Sequence, residues 1–162
     1  AITVAPYMGK DSVAPFLQYP GKWTILLALT SNEGSHDFQL QQFSDSEFLY
    51  EKVIREAQTW EGAGELMFVV GATRTDQITY LRKIAPEHFF LVPGVGFQGG
   101  NLREISKGGL NKHGGLLVNV SRSILYASNQ ENFASEARTI AQQYQVEMKE
   151  YLEDVKVTER VS

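Results

Sequence analysis

Residues 89–100 read FFLVPGVGFQGG, a strand-like apolar run that passes directly into a turn with four glycines. A second apolar run, residues 115–118, leads into the segment NVSRS, residues 119–123. Glycine lets backbone N–H groups approach an anion closely, and a helix N-terminus that follows adds positive potential. Arginine supplies a charged fork of donors that fits phosphate. The two segments together predict a phosphate site at the ends of two neighbouring strands.

Five short apolar runs predict strands, and their near-continuous apolar character is typical of parallel strands covered by helices. Helical periodicity lies between them, and capping-box patterns mark three helix starts. This alternation predicts an α/β fold, either an open doubly wound sheet or part of a (β/α)8 barrel. The strands are predicted at 2–5, 24–29, 66–71, 89–92 and 116–120. The helices are predicted at 46–60, around 78–84 and at 129–152. The caps are predicted at Ser44-x-x-Glu47, Asn101-x-x-Glu104 and Ser128-x-x-Glu131.

The length and charge exclude several classes of protein. At 162 residues the chain suffices for one substantial core, and its net charge of -4 is unsuited to a nucleic-acid platform. It contains no cysteine, so neither a disulfide nor a thiolate zinc site is possible. His36, His88 and His113 share no ligand spacing and are predicted at the surface. No apolar run approaches about 18 residues, so no membrane helix is predicted and we expect a cytoplasmic protein.

The glycine turn also has a second interpretation. Gly94-x-Gly96-x-x-Gly99 matches the dinucleotide fingerprint, which in the Rossmann arrangement belongs to the first βα turn and is followed by an acidic residue one strand later. Here the turn follows the fourth predicted strand, and the next strand ends at Ser121-Arg122. Because arginine can accept a 2′-phosphate, an NADP-binding module stays an alternative, beside a glycine turn that serves geometry alone.

Two polar segments follow the first two predicted strands. Residues 30–34, TSNEG, open a loop that runs to about residue 44, and their hydroxyl and amide groups suit recognition of a base or a carbonyl. A solvated loop is the alternative on composition alone. Asp11 follows the first strand, and we interpret it as a cap of the next helix in preference to a catalytic acid.

At these residues the chain resembles the orotidine 5′-phosphate decarboxylase family, whose members are (β/α)8 barrels that convert orotidine monophosphate to uridine monophosphate (UMP). Residues 93–100 are similar to the phosphate-gripping loop after strand seven of that family. Residues 121–123 are similar to the turn after strand eight, whose arginine holds the phosphate. Residues 29–34 resemble the strand-five segment whose serine contacts the pyrimidine, and residues 3–12 resemble strand four of the longer bacterial branch.

The resemblance implies that residues 1–152 form the last five βα units of the barrel and that residues 153–162 form a polar tail. The family's catalytic Asp-x-Lys-x-x-Asp stretch on strand three has no counterpart in this chain. The chain also opens directly into a strand, which we interpret as the sign of a piece of something longer. We therefore expect an amino-terminal part, present as a separate chain or missing, to complete the barrel. The two parts together are called the complete barrel below.

The resemblance also implies a carbon–carbon lyase of pyrimidine biosynthesis that decarboxylates its substrate without a cofactor, and a chain that is inactive by itself. The implied partners are orotidine or uridine monophosphate, the amino-terminal part, and a second copy in a homodimer, with no nucleic acid and no membrane. Another phosphate-binding barrel enzyme, acting on a sugar phosphate, is the alternative within the same fold. The implied substrate-binding residues are Ser31 for the pyrimidine and Pro93, Gln98, Gly99, Gly100, Ser121 and Arg122 around the phosphate.

Overall fold

The computed structural model describes residues 1–43, 46–96 and 100–161, with side chains up to residue 155. Each predicted strand is present, and its observed ends differ from the predicted ones by about one residue at most. The apolar runs therefore located the strands correctly. The strands are β1 Ile2–Val4, β2 Thr24–Leu29, β3 Leu66–Val70, β4 Phe89–Pro93 and β5 Leu116–Asn119.

The strands form one parallel sheet in the order β1-β2-β3-β4-β5. Each strand therefore lies beside the strands that precede and follow it along the chain. A doubly wound sheet requires a reversal in strand order, and the ligand of such a fold binds at that reversal. Because this sheet has no reversal among its described strands, the doubly wound alternative is wrong, and the sheet has the order expected for consecutive barrel units.

Helices connect the strands, and a long helix closes the described chain. This last helix continues past residue 152, so the backbone of the predicted polar tail is helical up to residue 161. The division into residues 1–152 and 153–162 stays a prediction. The helices are α1 Lys10–Leu17, α2 Leu49–Ala57, α3 Thr75–Ile84, α4 Leu102–Gly109, α5 Arg122–Leu125 and α6 Phe133–Val161.

The two faces of the sheet bury different partners. On one face, strand residues such as Phe68 and Phe90 pack against helix residues such as Ile54, Ile78 and Ile105 in the main core. On the other face, a smaller cluster contains only strand side chains, among them Ile25 and Met67. A sheet with helices on one face and strand side chains alone on the other matches a segment of a barrel wall, whose inner face is filled by layers of strand residues.

Only one of the three predicted helix caps is confirmed. The Asn101 side chain accepts hydrogen bonds from the backbone N–H groups of residues 103 and 104, at 2.9 and 3.3 Å, which stabilises the start of α4 by about 1 kcal/mol. Ser44 lies outside the described residues, and it is Glu51 whose carboxylate reaches back to the backbone N–H of Phe48 at the start of α2. Ser128 accepts from the backbone N–H of Gln130, five residues before α6 begins, so its predicted capping role is wrong.

His88 corrects the prediction of surface histidines. Its ring is half-buried against Phe68, with ring centroids 5.3 Å apart, and its Nε2 lies 3.2 Å from the Ala63 carbonyl oxygen. Burial lowers the pKa of His88, so the neutral ring is favoured. The other two histidines are exposed as expected. Within the described part of the chain, no three His, Asp or Glu side chains group as metal ligands, and no helix has the length and apolar character needed to cross a bilayer.

Arg82 of α3 ties together the amino ends of β4 and β5. Its guanidinium donates to the carbonyl oxygens of Gly109 at 2.8 Å, Ala85 at 2.9 Å, His88 at 2.6 Å and Gly115 at 2.9 Å. The same group lies 4.0 Å above the centre of the Phe90 ring. Burial lowers the pKa of Arg82 to about 10, so the side chain stays charged at neutral pH. This side chain therefore gives a charged hydrogen-bond donor to four backbone carbonyl groups near the starts of β4 and β5.

We expect Arg82→Met to lower the unfolding free energy of the complete barrel by about 3 kcal/mol or more, because hydrogen bonds to a charged group contribute about 1.5–3 kcal/mol each and are not additive. Arg82→Lys should recover only part of this loss, since an ammonium lacks the planar fork. Urea denaturation followed by circular dichroism measures the effect. Lys83→Met, at an exposed position of the same helix, is the control and should change stability by about 0.5 kcal/mol or less. Equal stability of Arg82→Met and Lys83→Met would contradict the prediction.

Candidate functional site

The segments singled out in the sequence follow the carboxyl ends of the strands. Residues 30–34 follow β2, the described residues 94–96 and 100 follow β4, and residues 120–123 follow β5. Because all five strands are parallel, these segments lie at the same end of the sheet, where every strand has its carboxyl end. In barrels of alternating strands and helices, this is the edge that carries the active site.

The glycine turn after β4 is a short loop whose ends meet. Val95 and Gly100 pair as an isolated parallel bridge, and the Gly96 N–H donates to the Gly100 carbonyl oxygen at 3.0 Å. Gly96 has φ +81°, a left-handed conformation that a residue with a side chain adopts only with strain. The predicted phosphate-binding residues Gln98 and Gly99 lie outside the described residues.

The base of this loop is fixed to the neighbouring strand end. The Pro93 carbonyl oxygen accepts a hydrogen bond of 2.9 Å from the backbone N–H of Ala72, which follows β3. Pro93 and Asn119 are register partners in β4 and β5. The glycine turn therefore starts from a backbone position that two neighbouring segments define.

The arginine turn after β5 is the start of a short helix. Ser121 precedes α5, and its carbonyl oxygen accepts from the N–H groups of Ile124 and Leu125 at 3.1 and 2.8 Å. The Ser121 hydroxyl lies 3.3 Å from the Asn119 side-chain oxygen. Ser121 and Arg122 are both exposed at this edge. The arginine turn, residues 120–123, therefore places Arg122 at the surface directly after β5.

The glycine turn and the arginine turn are in contact. A Cβ atom added at Gly96 would lie 2.7 Å from the hydroxyl oxygen of Ser123, the residue after Arg122. The structure therefore brings together the two segments that the sequence combines into one phosphate site. Which of their groups contact a phosphate stays a prediction.

Ser31 lies two residues after the end of β2, and the environment of its hydroxyl is unusual. Its Oγ is buried and has no hydrogen-bond partner among the described residues. It is packed so closely on Gly71, at the end of β3, that a Cβ at Gly71 would overlap it. A buried hydroxyl without a partner costs about 1–3 kcal/mol, which makes the Ser31 hydroxyl a candidate for contact with a ligand, and its binding role stays a prediction.

The loop after Ser31 is held by residues that the sequence did not single out. The Gln39 side-chain oxygen accepts from the Thr30 N–H at 2.7 Å, and the Gln39 amide nitrogen donates to the Thr30 hydroxyl at 2.9 Å. Arg74, at the start of α3, donates to the hydroxyl of Ser35 at 3.1 Å, and Ser35 is fully buried. These contacts show that the loop has a defined structure, and its role in recognition stays a prediction. Their sequence signal is weak, because Gln39 and Arg74 lie in no recognisable pattern.

Asp11 lies in the first turn of α1, where its carboxylate accepts from the N–H of Ser12 at 3.1 Å. The interpretation of Asp11 as the cap of this helix is wrong, because Asp11 lies inside the helix and its bond reaches only the next residue. Gly9 occupies the N-cap position itself. Asp11 is therefore a first-turn acid that stabilises the helix start.

Comparison with a family model and with known proteins identifies the same family. Residues 1–137 match the model of the family described as Orotidine 5'-phosphate decarboxylase / HUMPS family. The chain is 56% identical over 150 residues to orotidine 5'-phosphate decarboxylase of Porphyromonas gingivalis, covering 91% of this chain and 54% of that protein. It is 54% identical over 155 residues to the enzyme of the same name from Bacteroides fragilis, covering 96% of this chain and 57% of that protein.

Solved structures show the same likeness. The structure of Leishmania donovani OMP decarboxylase aligns with a TM-score of 0.74 and 35% identity, over 91% of this chain and 56% of that one. Leishmania donovani UMP synthase aligns with a TM-score of 0.76 and 38% identity, over 91% of this chain and 33% of that one. The chain thus spans about half the length of the curated relatives it matches. The predicted fold class, part of a (β/α)8 barrel, is confirmed.

Proposed function

Because the chain belongs to the orotidine 5′-phosphate decarboxylase / HUMPS family, we propose that it takes part in the decarboxylation of orotidine 5′-monophosphate to UMP. In this proposal the chain binds the phosphate and the pyrimidine of the nucleotide. The carbon–carbon lyase step itself needs the Lys/Asp array of the family, which has no counterpart among the residues of this chain.

The contact between the glycine turn and the arginine turn is the observation that carries the proposal. Gly96 and Ser123 meet at the edge where a ligand would enter, and Arg122 is next to that contact. A guanidinium and backbone N–H groups converging on one point suit a phosphate. In this proposal the phosphate is bound by the loop that starts at Pro93 and by the turn after β5. The groups that bind it are the side chains of Gln98 and Arg122 and the backbone N–H groups of Gly99, Gly100, Ser121 and Arg122.

Ser31 supplies the second contact in this proposal. Its buried hydroxyl follows β2, two strands away from the glycine turn after β4. A nucleotide has its phosphate at one end and its base at the other, so two separated polar contacts at one sheet edge suit it better than they suit a small sugar phosphate. We assign the Ser31 hydroxyl to the polar edge of the pyrimidine.

Binding by these residues can accelerate a reaction that occurs elsewhere on the substrate. Contacts to a remote phosphate raise kcat when they are used to close the site and to hold the reacting group in position. The chain would therefore contribute to catalysis without any acid, base or nucleophile of its own.

The free edges of the sheet suit an amino-terminal part that completes the barrel. β1 pairs only with β2, and β5 pairs only with β4, among the described strands. Ile2 and Leu117, on these two edge strands, are 46% and 49% exposed. A groove of about 630 Å³ lies beside β5 and is bordered by Leu117 on the strand and by Met148 on α6. Apolar edges of this kind are unfavourable in water and are removed when a barrel closes.

The strand order counts against the NADP alternative. The dinucleotide site of a Rossmann fold lies where the strand order reverses, and the described sheet has no such position. The sugar-phosphate alternative shares the phosphate contacts and differs at Ser31. A homodimer and a cytoplasmic location stay predictions that accompany the proposal.

Titration of the complete barrel with UMP, NADPH and ribose 5-phosphate tests the proposed function. We expect UMP to bind and to raise Tm, because a ligand that binds only the folded protein stabilises it. Calorimetry measures the affinities, and loss of orotidine monophosphate absorbance measures the reaction. Tighter binding of NADPH than of UMP would overturn the proposal.

The matched variant for this titration is Ser31→Ala. It should weaken UMP binding about tenfold and leave ribose 5-phosphate binding unchanged, because only UMP has a pyrimidine for the hydroxyl to contact. Equal affinities of UMP and ribose 5-phosphate for the unmodified protein would favour the sugar-phosphate alternative.

A further inference from the structure

Tyr144 of α6 reaches the point where the glycine turn and the arginine turn meet. A Cβ atom added at Gly96 would overlap the Tyr144 hydroxyl oxygen, and it would lie 2.7 Å from the hydroxyl oxygen of Ser123. The Tyr144 hydroxyl therefore lies directly against Gly96 and on the side of Ser123.

The helix that carries Tyr144 is itself fixed to the core. Tyr144, Met148 and Tyr151 are half-buried and pack against the main core at successive turns of α6. The Ser106 hydroxyl of α4 lies 3.9 Å from the Met148 sulfur, a contact between these two helices. Further along the helix, the Tyr151 hydroxyl donates to the Glu147 carboxylate at 2.6 Å, a bond within α6 itself. Tyr144 thus projects from a firmly held helix.

We propose that Tyr144 is a positioning residue for the phosphate site, and this inference rests on the proposed function. Its ring and hydroxyl occupy the space behind Gly96 and hold the glycine turn at a set distance from Ser123. Since Arg122 precedes Ser123, this distance also sets the separation between the two halves of the phosphate site. Tyr144 is not assigned a contact with the nucleotide.

The backbone geometry of Gly96 explains why a side chain from another element must pack beside it. The left-handed backbone at Gly96 disfavours any residue with a side chain, so Gly96 itself cannot fill the space beside it. Without the Tyr144 side chain, the space that its hydroxyl fills against Gly96 would be empty. Binding groups must be held to within about 0.5 Å of the productive geometry, so a loop that can move into such a gap binds its ligand less well.

The variants Tyr144→Phe and Tyr144→Leu of the complete barrel test the proposal by titration with UMP and with uridine. Uridine has the base and ribose of UMP and lacks the phosphate. We expect Tyr144→Leu to raise the Kd for UMP about tenfold and Tyr144→Phe to raise it about threefold, with the Kd for uridine unchanged in both. Tyr151→Phe is the matched control, because it removes a hydroxyl from the same helix away from Gly96, and it should leave both values unchanged.

The outcomes separate three cases. A selective loss of UMP affinity in the Tyr144 variants supports the positioning role. Unchanged UMP affinity in Tyr144→Leu, or an equal loss for UMP and uridine, overturns it, since either result is expected from packing alone. If Tyr144→Leu does not fold, Tyr144→Phe decides by the same comparison, because it keeps the ring. Failure of the unmodified protein to bind UMP would instead refute the proposed function.

Discussion

Replacing Arg122 with alanine in the complete barrel is expected to lower kcat/KM for orotidine monophosphate roughly a hundred- to a thousandfold. This factor corresponds to a loss of several kcal/mol of transition-state stabilisation. A guanidinium can make two parallel charge-assisted hydrogen bonds to a phosphate, and alanine can make neither. Because the phosphate is remote from the reacting carbon, the loss should affect kcat as well as KM. Steady-state kinetics on the variant and the unmodified protein measure the effect.

Two further variants identify the cause of this loss. Arg122→Lys keeps the charge and lacks the planar fork, so it should recover only part of the activity. Arg103→Ala removes an exposed arginine from α4 and should leave kcat/KM close to its original value. An unchanged kcat/KM in Arg122→Ala would refute the assignment of this residue to the phosphate.

The isolated 162-residue chain is expected to show no decarboxylase activity until an amino-terminal part is added. It has no counterpart of the catalytic Asp-x-Lys-x-x-Asp stretch that the family resemblance implies. Its two edge strands also expose apolar side chains and unpaired backbone groups, so the chain alone should self-associate. Activity assays before and after mixing the two parts measure the first effect, and light scattering measures the second.

The control for this mixing experiment is a chain that carries Arg122→Ala. It should assemble with the amino-terminal part as the unmodified chain does and restore far less activity, which separates assembly from substrate binding. Turnover by the purified chain alone would overturn the mapping of this sequence onto the last five units of a barrel.

The strands were the most predictable part of the fold. Buried parallel strands need apolar residues on both faces, so β2 and β3 are continuous apolar runs that stand out from their surroundings. The cap at Asn101 was also predictable, because a capping side chain bonds within three residues of itself. Ser128 shows the limit of such local patterns, since the same sequence pattern forms a turn when the helix begins later.

The candidate site was predictable in part. The glycine turn and the arginine turn were identified from their composition, and the structure brings them into contact. The residues that support the site were missed. Gln39 acts on Thr30, nine residues away, and Tyr144 reaches Gly96 from the last helix. Neither glutamine nor tyrosine has a sequence pattern that reports such a contact.

The sequence by itself determined the strands, the βα alternation and the two turns with the chemistry of a phosphate site. These features depend on neighbouring residues, whose spacing reports which face is buried and where the chain can turn. Only the tertiary structure decided the strand order, the buried Ser31 hydroxyl that lacks a partner among the described residues, and the carbonyl groups 27 and 33 residues away to which Arg82 donates. Contacts between distant residues depend on how the packed elements lie in space, and local spacing carries no record of that arrangement.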